Sequence, residues 1–402
     1  MYEVKIIDID HQGRGIGKIN NKIIFIPNAL PNEIVKCNIK LEKKNYYEGE
    51  VVEFIKKDKI RIQNKCLYNC GGCSIQHINY EEQLKYKENK IKNIIKKFTT
   101  IEPKINKIIP SPLNYNYRNK ITLHVKNNKL GLYKEKTNDL IEVDKCLLVD
   151  DKINEIINEL KKLNLDTNNE IIIKASKHET MISTNNYIEN IENINATTII
   201  CNNKVLKGNG YIIEELNNYR FIISNDSFFQ INTNQTINLY NKVLEYAKLT
   251  GNENVLDLYC GTGTIGIYLS KYVNRIVGVE INNKAVIDAN KNKEINNIKN
   301  IEFIQGDCKK VIKDLDYKFD VLIIDPPRTG LFKGMIDDIN LINPKRIIYV
   351  SCEPITLARD LEELNINYNV IEIQPIDMFP NTYHCESVAV LERGRIWINT
   401  MN

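Results

Sequence analysis

The chain has 402 residues, 43 % hydrophobic and 26 % charged, a balance that excludes disorder over most of its length and predicts two or three folded domains. Its 55 basic and 51 acidic side chains leave a net charge of +4, but residues 1–140 hold 27 basic against 15 acidic and residues 141–402 hold 28 against 36. A basic front and an acidic rear point to a polyanionic partner at the front. No apolar run reaches the roughly 18 residues of a membrane helix, and the first residues carry acids and no apolar signal segment. A cytoplasmic protein with no membrane partner is therefore expected.

Residues 1–57 read as short strands, VKIIDID, KIIFIP, IVKCNIKLE and YEGEVVEFIK, separated by Gly, Pro and Asn turns. That spacing predicts a small barrel of OB type. The loop HQGRGIGK, residues 11–18, is expected to join the first two strands. Its glycines would let the backbone approach a ligand, with Arg14 and Lys18 supplying charge. Next comes a cluster, Cys66, Cys70 and Cys73, among ten cysteines in all. In a large chain of a reducing compartment it points to metal or redox chemistry rather than to disulfides. Zinc usually takes paired CxxC units. Three clustered thiols plus a distant fourth, for which Cys146 is the nearest later cysteine, also suit a four-iron cluster.

The stretch YEEQLKYKENKIKNIIKKF, about 80–98, reads as an amphipathic helix with Leu84, Ile91, Ile94 and Ile95 at helical spacing. Between 104 and 215, strand-like KITLHVKNNKLGLY and EIIIKAS alternate with one helix, DDKINEIINELKKL, which predicts an α+β domain. From about 220 the pattern becomes regular. NVLDLYCGTG, RIVGVEI, IEFIQGD, FDVLIIDPP and RIIYVSCE are apolar strands, each followed by a helix or loop, so a parallel, doubly wound sheet is expected. The abundant Asn, Ile and Lys read as a compositional bias without functional weight.

Four motifs sit at the expected strand ends. Asp257-Leu-Tyr259-Cys-Gly261-Thr-Gly263 follows an apolar strand and opens a helix, and a second strand ends in Glu280. Glycines there admit a nucleotide to the backbone, and the carboxylate can accept ribose hydroxyls. The spacing fits a dinucleotide and S-adenosylmethionine equally. Asp325-Pro-Pro-Arg-Thr-Gly330 ends another strand, because proline cannot continue it, and leaves a carboxylate at the ligand-binding edge. Ser351-Cys352-Glu353-Pro354 places a thiol at that edge. It is either a nucleophile, with a helix N-terminus lowering its pKa, or a buried structural cysteine. His384-Cys385-Glu386 precedes the last strand, SVAVL, so Glu386 is either a general base or an ordinary surface glutamate.

Together with CGGCSIQHINYEEQLKYK, YRNK, FFQIN, YVSCEPITLARDL and MFPNTYHCESV, these ordered blocks make the chain resemble the bacterial RNA uracil-5-methyltransferase family over nearly its whole length. It most resembles the 23S rRNA branch with an N-terminal TRAM domain and an iron–sulfur cluster. The resemblance implies an RNA-binding, OB-like TRAM barrel over 1–57. It implies a central α+β iron–sulfur domain over 58–215, whose helix 80–98 packs on a Rossmann-like catalytic domain over 216–402. It implies that Cys66, Cys70, Cys73 and Cys146 hold a [4Fe-4S] cluster. Gln230, Tyr259, Gly261, Gly263, Glu280, Asp307 and Asp325 would lie at S-adenosylmethionine or the uracil. Cys352 would be the nucleophile and Glu386 the proton acceptor. The implied reaction transfers methyl from S-adenosylmethionine to C5 of a uridine in 23S rRNA. A tRNA substrate, or a non-catalytic RNA-binding assembly factor, are the alternatives, and no protein partner is indicated. Glu353 stands where the family often has Asn or Asp, and Cys385 where it has Val.

Overall fold

A computed structural model describes residues 1–135, 137–165, 168–316 and 318–394. Strands β1 (Tyr2–Lys5), β2 (Asp8–Ile9), β3 (Gly15–Ile19), β4 (Lys22–Ile26), β5 (Ile34–Glu42) and β6 (Tyr46–Lys56) form one six-stranded sheet, ordered β1-β5-β6-β4-β3-β2. It curls around Val4, Ile6, Ile24, Ile26, Val35 and Cys37. The expected loop 11–18 is shorter than its sequence suggested, since Gly15 to Ile19 are strand. The glycines serve closure of the sheet: a Cβ on Gly17 would stand 2.2 Å from Val4 Cγ1. Arg14 is likewise engaged internally, on Asp10 at 2.7 Å and over the Phe25 ring at 4.5 Å. The basic surplus lies beyond this sheet. Residues 1–57 hold 10 basic and 8 acidic side chains, and residues 58–140 hold 17 against 7.

Helix α1 (Tyr80–Phe98) starts on an Asn79 cap that accepts from the Glu82 amide. Strand β7 (Lys104–Ile105) follows. Strands β8 (Lys120–Lys126), β9 (Lys129–Tyr133) and β10 (Leu140–Glu142), helix α2 (Asp151–Leu160), and strands β11 (Asn169–Ala175), β12 (Thr180–Thr184), β13 (Thr198–Cys201) and β14 (Lys204–Lys207) then build a seven-stranded sheet, ordered β10-β9-β8-β11-β12-β13-β14. Asparagine has a local structural use that its abundance concealed. Both residues of the pairs Asn20–Asn21, Asn127–Asn128 and Asn202–Asn203 have positive φ and turn the hairpins β3–β4, β8–β9 and β13–β14. Two-residue hairpin loops require that conformation, and Asn tolerates it.

A hairpin of β15 (Tyr211–Leu216) and β16 (Tyr219–Ser224) leads into helix α3 (Thr233–Ala247). The remaining chain alternates: β17 (Asn254–Leu258), α4 (Thr264–Leu269), β18 (Arg275–Glu280), α5 (Asn283–Ile295), β19 (Ile301–Gln305), α6 (Cys308–Asp314), β20 (Val321–Ile324), α7 (Met335–Ile342), β21 (Arg346–Ser351), α8 (Pro354–Leu364), β22 (Tyr368–Ile376) and β23 (Glu386–Arg393). Its sheet runs β19-β18-β17-β20-β21-β23-β22-β7. Neighbours from β19 to β21 are parallel, but β23 runs antiparallel to both β21 and β22. The expected all-parallel sheet is therefore a mixed one. A hairpin-like return needs no crossover helix, and apolar content does not report strand direction.

Residues 80–105 count by sequence with the central domain, with helix 80–98 expected to pack on the catalytic one, and they lie against this sheet or join it. Strand β7 pairs with β22, and Ile91, Ile94 and Ile95 of α1 join the core that contains Leu361 of α8 and Ile373 of β22. The buried face of α1 also carries three polar residues, Gln83, Lys87 and Lys90, alongside the isoleucines. Lys87 and Asp377 are both fully buried and meet at 2.5 Å. Tyr80 Oη donates to the same carboxylate at 2.8 Å, and Lys87 Nζ also donates to the Phe379 carbonyl at 2.9 Å. Removing one partner strands a buried charge. Lys87→Met is expected to destabilise the fold by about 3–5 kcal/mol, read as a lower urea midpoint. The double variant Lys87→Met/Asp377→Leu should recover part of that loss, and equal midpoints for wild type and Lys87→Met would refute the assignment.

Candidate active site

The loops at the C-terminal ends of β17, β18, β20 and β21 open on one edge of the sheet, as a parallel arrangement requires. After β17 the chain turns sharply. Tyr259, Gly261 and Gly263 all have positive φ, and Gly263 caps α4. A Cβ on Gly263 would sit 2.4 Å from the Phe303 ring, whereas one on Gly261 would meet only open space. Glycine is thus needed at 263 for close helix–sheet packing, and at 261 the backbone lies bare. The Gly261 amide donates to Glu280 Oε2 at 3.1 Å, and the Asn282 amide to Glu280 Oε1 at 2.8 Å, so two adjacent strand ends are tied through one carboxylate. Asp307 caps α6 at the end of β19, beside Tyr259 and Cys308.

Three further acids crowd this edge. Asp257 is fully buried, and its carboxylate faces the Gly266 backbone at the start of α4. Burial, then the charges of Asp325 and Glu280, pushes its pKa up to about 8. Burial alone lifts Asp325 to about 7. Glu386 is 3 % exposed and held well above the usual carboxylate range by burial, then by Asp325, against the pull of Arg328. A cluster of acids held above the usual carboxylate range favours a nearby cation, which would offset both desolvation and mutual repulsion.

Cys352 and Glu386 meet because Ser351 of β21 pairs with Ser387 of β23. The thiol is half-buried, just before the Glu353 cap of α8. Its pKa is pushed up to about 11 by burial, then by Glu386, with Asp325 adding and Arg328 opposing through charge and a hydrogen bond. The sequence-based expectation of a lowered thiol pKa is thus reversed. The helix N-terminus is outweighed by an apolar surrounding and two carboxyl groups.

The sheet therefore brings together Asp257, Asp325, Cys352 and Glu386, with Glu280 and Tyr259 on the flanking turns. Gln230 comes from a different element, the segment before α3, where its carbonyl accepts from Asn119 Nδ2 at 2.9 Å. Arg328 was missed by sequence reasoning, although a lone cation three residues after Asp325, in a loop beside several acids, was a visible signal. Tyr240 of α3 was also missed. It bonds Thr264 at 2.6 Å and lies within the field of Asp325, Asp257 and Glu386.

The cysteine cluster lies elsewhere. Gln76 pins both backbone groups of Cys66, at 3.2 and 3.1 Å, and Asn154 does the same for Cys146, at 2.9 and 3.1 Å. Burial lifts Cys73 to about 12, with the charges of Cys146, Cys66 and Cys70 adding and Arg118 opposing. The four thiols thus share one neighbourhood. Among the described residues, however, no group of three or more His, Cys, Asp or Glu is arranged to hold a metal ion, so the expected ligand set is not formed as a single-ion site.

The family model for tRNA (uracil-5-)-methyltransferase matches residues 173–394, and that for the TRAM domain matches residues 1–52. The chain belongs to the tRNA (uracil-5-)-methyltransferase family. It is an S-adenosylmethionine-dependent RNA methyltransferase. An uncharacterized RNA methyltransferase of Clostridium tetani is 35 % identical over 440 residues, covering 97 % of this chain and 96 % of that protein. One of Caldanaerobacter subterraneus is 37 % identical over 442 residues, covering 98 % of each. The crystal structure of Pyrococcus abyssi tRNA (uracil-54, C5)-methyltransferase in complex with S-adenosyl-L-homocysteine matches with a TM-score of 0.81 and 28 % identity, over 97 % of this chain and 100 % of that one. No helix of the methyltransferase among the described residues is long and apolar enough to cross a membrane.

The thiol's surroundings give a pH signature. Alkylation of Cys352 by iodoacetamide, followed peptide by peptide in a mass spectrometer, should be slow at pH 7 and climb as pH approaches 11. Glu386→Gln removes the charge that ranks next after burial, so its profile should shift to lower pH. A profile unchanged or shifted upward would contradict the coupling.

Proposed function

We propose that the protein methylates C5 of a uridine in RNA through a transient bond between Cys352 and C6, with Glu386 taking the C5 proton. The observation that supports this most is the pairing of a thiol and a buried carboxyl across β21 and β23 at the ligand edge. A nitrogen target would need neither, because nitrogen is already nucleophilic. Uracil C5 is not, and covalent catalysis divides its alkylation into easier steps.

As thiolate, Cys352 adds to C6, and the C5=C6 electron pair moves onto the C4 carbonyl oxygen through C5. That carbon becomes nucleophilic. S-adenosylmethionine supplies an electrophilic methyl group on a sulfonium cation. Once C5 carries the methyl, Glu386 removes the C5 proton. The Cys352–C6 bond breaks, the thiolate departs, and the C5=C6 bond is restored. Arg328 steadies the thiolate by charge and hydrogen bond. The bare backbone at Gly261, the Gly263 turn, Glu280 and the buried Asp257 carboxyl fit a cationic nucleoside. We assign Gln230, Tyr259, Asp307 and Asp325 to the same cofactor and to the uracil edge. The target base must leave its stack to reach a thiol at a sheet edge, which favours loops.

For the substrate we propose 23S rRNA. The second reading, tRNA, is favoured by the Pyrococcus abyssi relative, whose name specifies tRNA. Labelled methyl transfer to total tRNA and to 23S rRNA fragments, with the modified position mapped, decides between them. Absence of turnover on either would favour a non-catalytic role. Cys352→Ala should bind RNA and cofactor yet form no 5-methyluridine, and turnover by that variant would eliminate the nucleophile. Glu386→Gln should accumulate a gel-stable protein–RNA adduct, and without one the base assignment fails.

We further assign Cys66, Cys70, Cys73 and Cys146 to a [4Fe-4S] cluster of structural role. Their mutual electrostatic influence and the pinned backbones of Cys66 and Cys146 support the assignment. A four-iron cluster takes one thiolate per iron, so its ligands need not converge as those of a single ion do. Protein purified anaerobically should be brown. Colourless protein with stoichiometric zinc would overturn the iron assignment.

A further inference from the structure

The turn between β16 and α3 is gripped from both sides. Lys174 on β11 is 4 % exposed, and its ammonium donates to the carbonyls of Ser224 at 2.8 Å, Asn225 at 2.8 Å and Ser227 at 3.1 Å. Those are all the donors an ammonium has. On the other side Asp288 of α5, 3 % exposed, accepts from the hydroxyls of both Ser224 and Ser227. The turn so held sends Phe228 outward, 67 % exposed, while Phe229 packs against Phe221 and Gln230 is buried. Asn119 completes the grip, donating to the Gln230 carbonyl and to Thr233 Oγ1. A small cavity lined by Lys120, Lys174, Phe228 and Ile231 opens beside the turn.

We propose that Lys174 is a positioning residue through which the central sheet fixes the loop 225–232, and with it Phe228 and Gln230, for RNA binding. This rests on the assignment of Gln230 to the ligand site made above. The physical reason is the convergence of three carbonyl oxygens on one cation. Without that cation the carbonyls of Asn225 and Ser227 lose their donor and that of Ser224 keeps only the Ser227 amide at 3.3 Å, so the loop opens to recover water. The grip is also sensitive to pH. Burial, then Lys120 on β8, lowers the ammonium's pKa to about 7, against Asp226 in the turn and Asp288 on α5. Lys284 and Lys291 pair in turn with those two acids. A neutral amine has only two N–H donors for three carbonyls, so the loop loosens as pH rises.

The test uses the full-length protein and the transcript, tRNA or 23S rRNA fragment, that the wild type methylates. Lys174→Met should raise KM for RNA about tenfold at pH 7, with a smaller fall in kcat because Gln230 moves with the loop. In wild type, KM should rise between pH 6 and 9, and Lys174→Arg, which keeps its charge, should flatten that rise. Hydrogen exchange of peptides spanning 221–233 should be faster in Lys174→Met. An unchanged KM, or a wild-type pH profile in Lys174→Arg, overturns the proposal. Should a variant misfold, wild-type protection of 221–233, corrected for intrinsic exchange, must fall between pH 6 and 8, and constant protection overturns it. The exchange measurement needs no turnover. A wild type without methyl transfer but with a pH-dependent loop would therefore refute the methyltransferase reading and leave the clamp standing.

Discussion

The buried ion pair between Lys87 and Asp377 organises the catalytic half of the molecule. It is the centre of a polar face on α1 that grips the segment leading to Glu386. Beyond the pair itself, Gln83 exchanges two hydrogen bonds with Asn381, and Lys90 Nζ donates to the Tyr383 carbonyl at 3.0 Å. An irregular segment has no ladder to satisfy its backbone, so side chains must do so. The consequence is that the helix following the cysteine cluster sets where the proposed base enters the sheet. The same segment meets the front of the chain. The Tyr383 amide donates to Ser74 Oγ and the Ile75 amide to the Asn381 carbonyl, one and two residues after Cys73. A Cβ on Gly13 would strike Ile75 at 2.5 Å. The N-terminal sheet, the cysteine loop and the active-site segment are thus stacked in direct contact.

At the ligand edge, electrostatics runs in one direction. Asp257, Asp325 and Glu386 are raised by burial, and the thiol of Cys352 is raised with them. Burial thus disfavours the charged forms, and the chemistry proposed for Cys352 and Glu386 needs both of them charged. A sulfonium cofactor and the nearby guanidinium of Arg328 both act to restore those forms.

Much of the site was legible in local sequence because strand ends in an open α/β sheet are marked by residue type. Glycines after β17, the acid ending β18, the Pro-Pro after Asp325 and the Cys-Glu-Pro after β21 each announce where a strand stops, and ligands bind where strands stop. What remained hidden is long-range. Lys87 falls on the apolar face of α1, between Leu84 and Ile91, but its partner Asp377 is 290 residues away and no local signal names it. The direction of β23, the absorption of β7 into the catalytic sheet, and the sign of the Cys352 shift all depend on which neighbours arrive from afar.

Sequence alone therefore determined the order of the elements, the turn-forming use of glycine, and the identity of the thiol and carboxyl that could react, because these follow from local backbone preference and side-chain chemistry. Tertiary structure decided which of those groups face one another, which lysines are buried, and whether a given pKa rises or falls. Burial and proximity belong to the packed chain, and in this protein they outweigh the local signals, as the reversed expectation for Cys352 records.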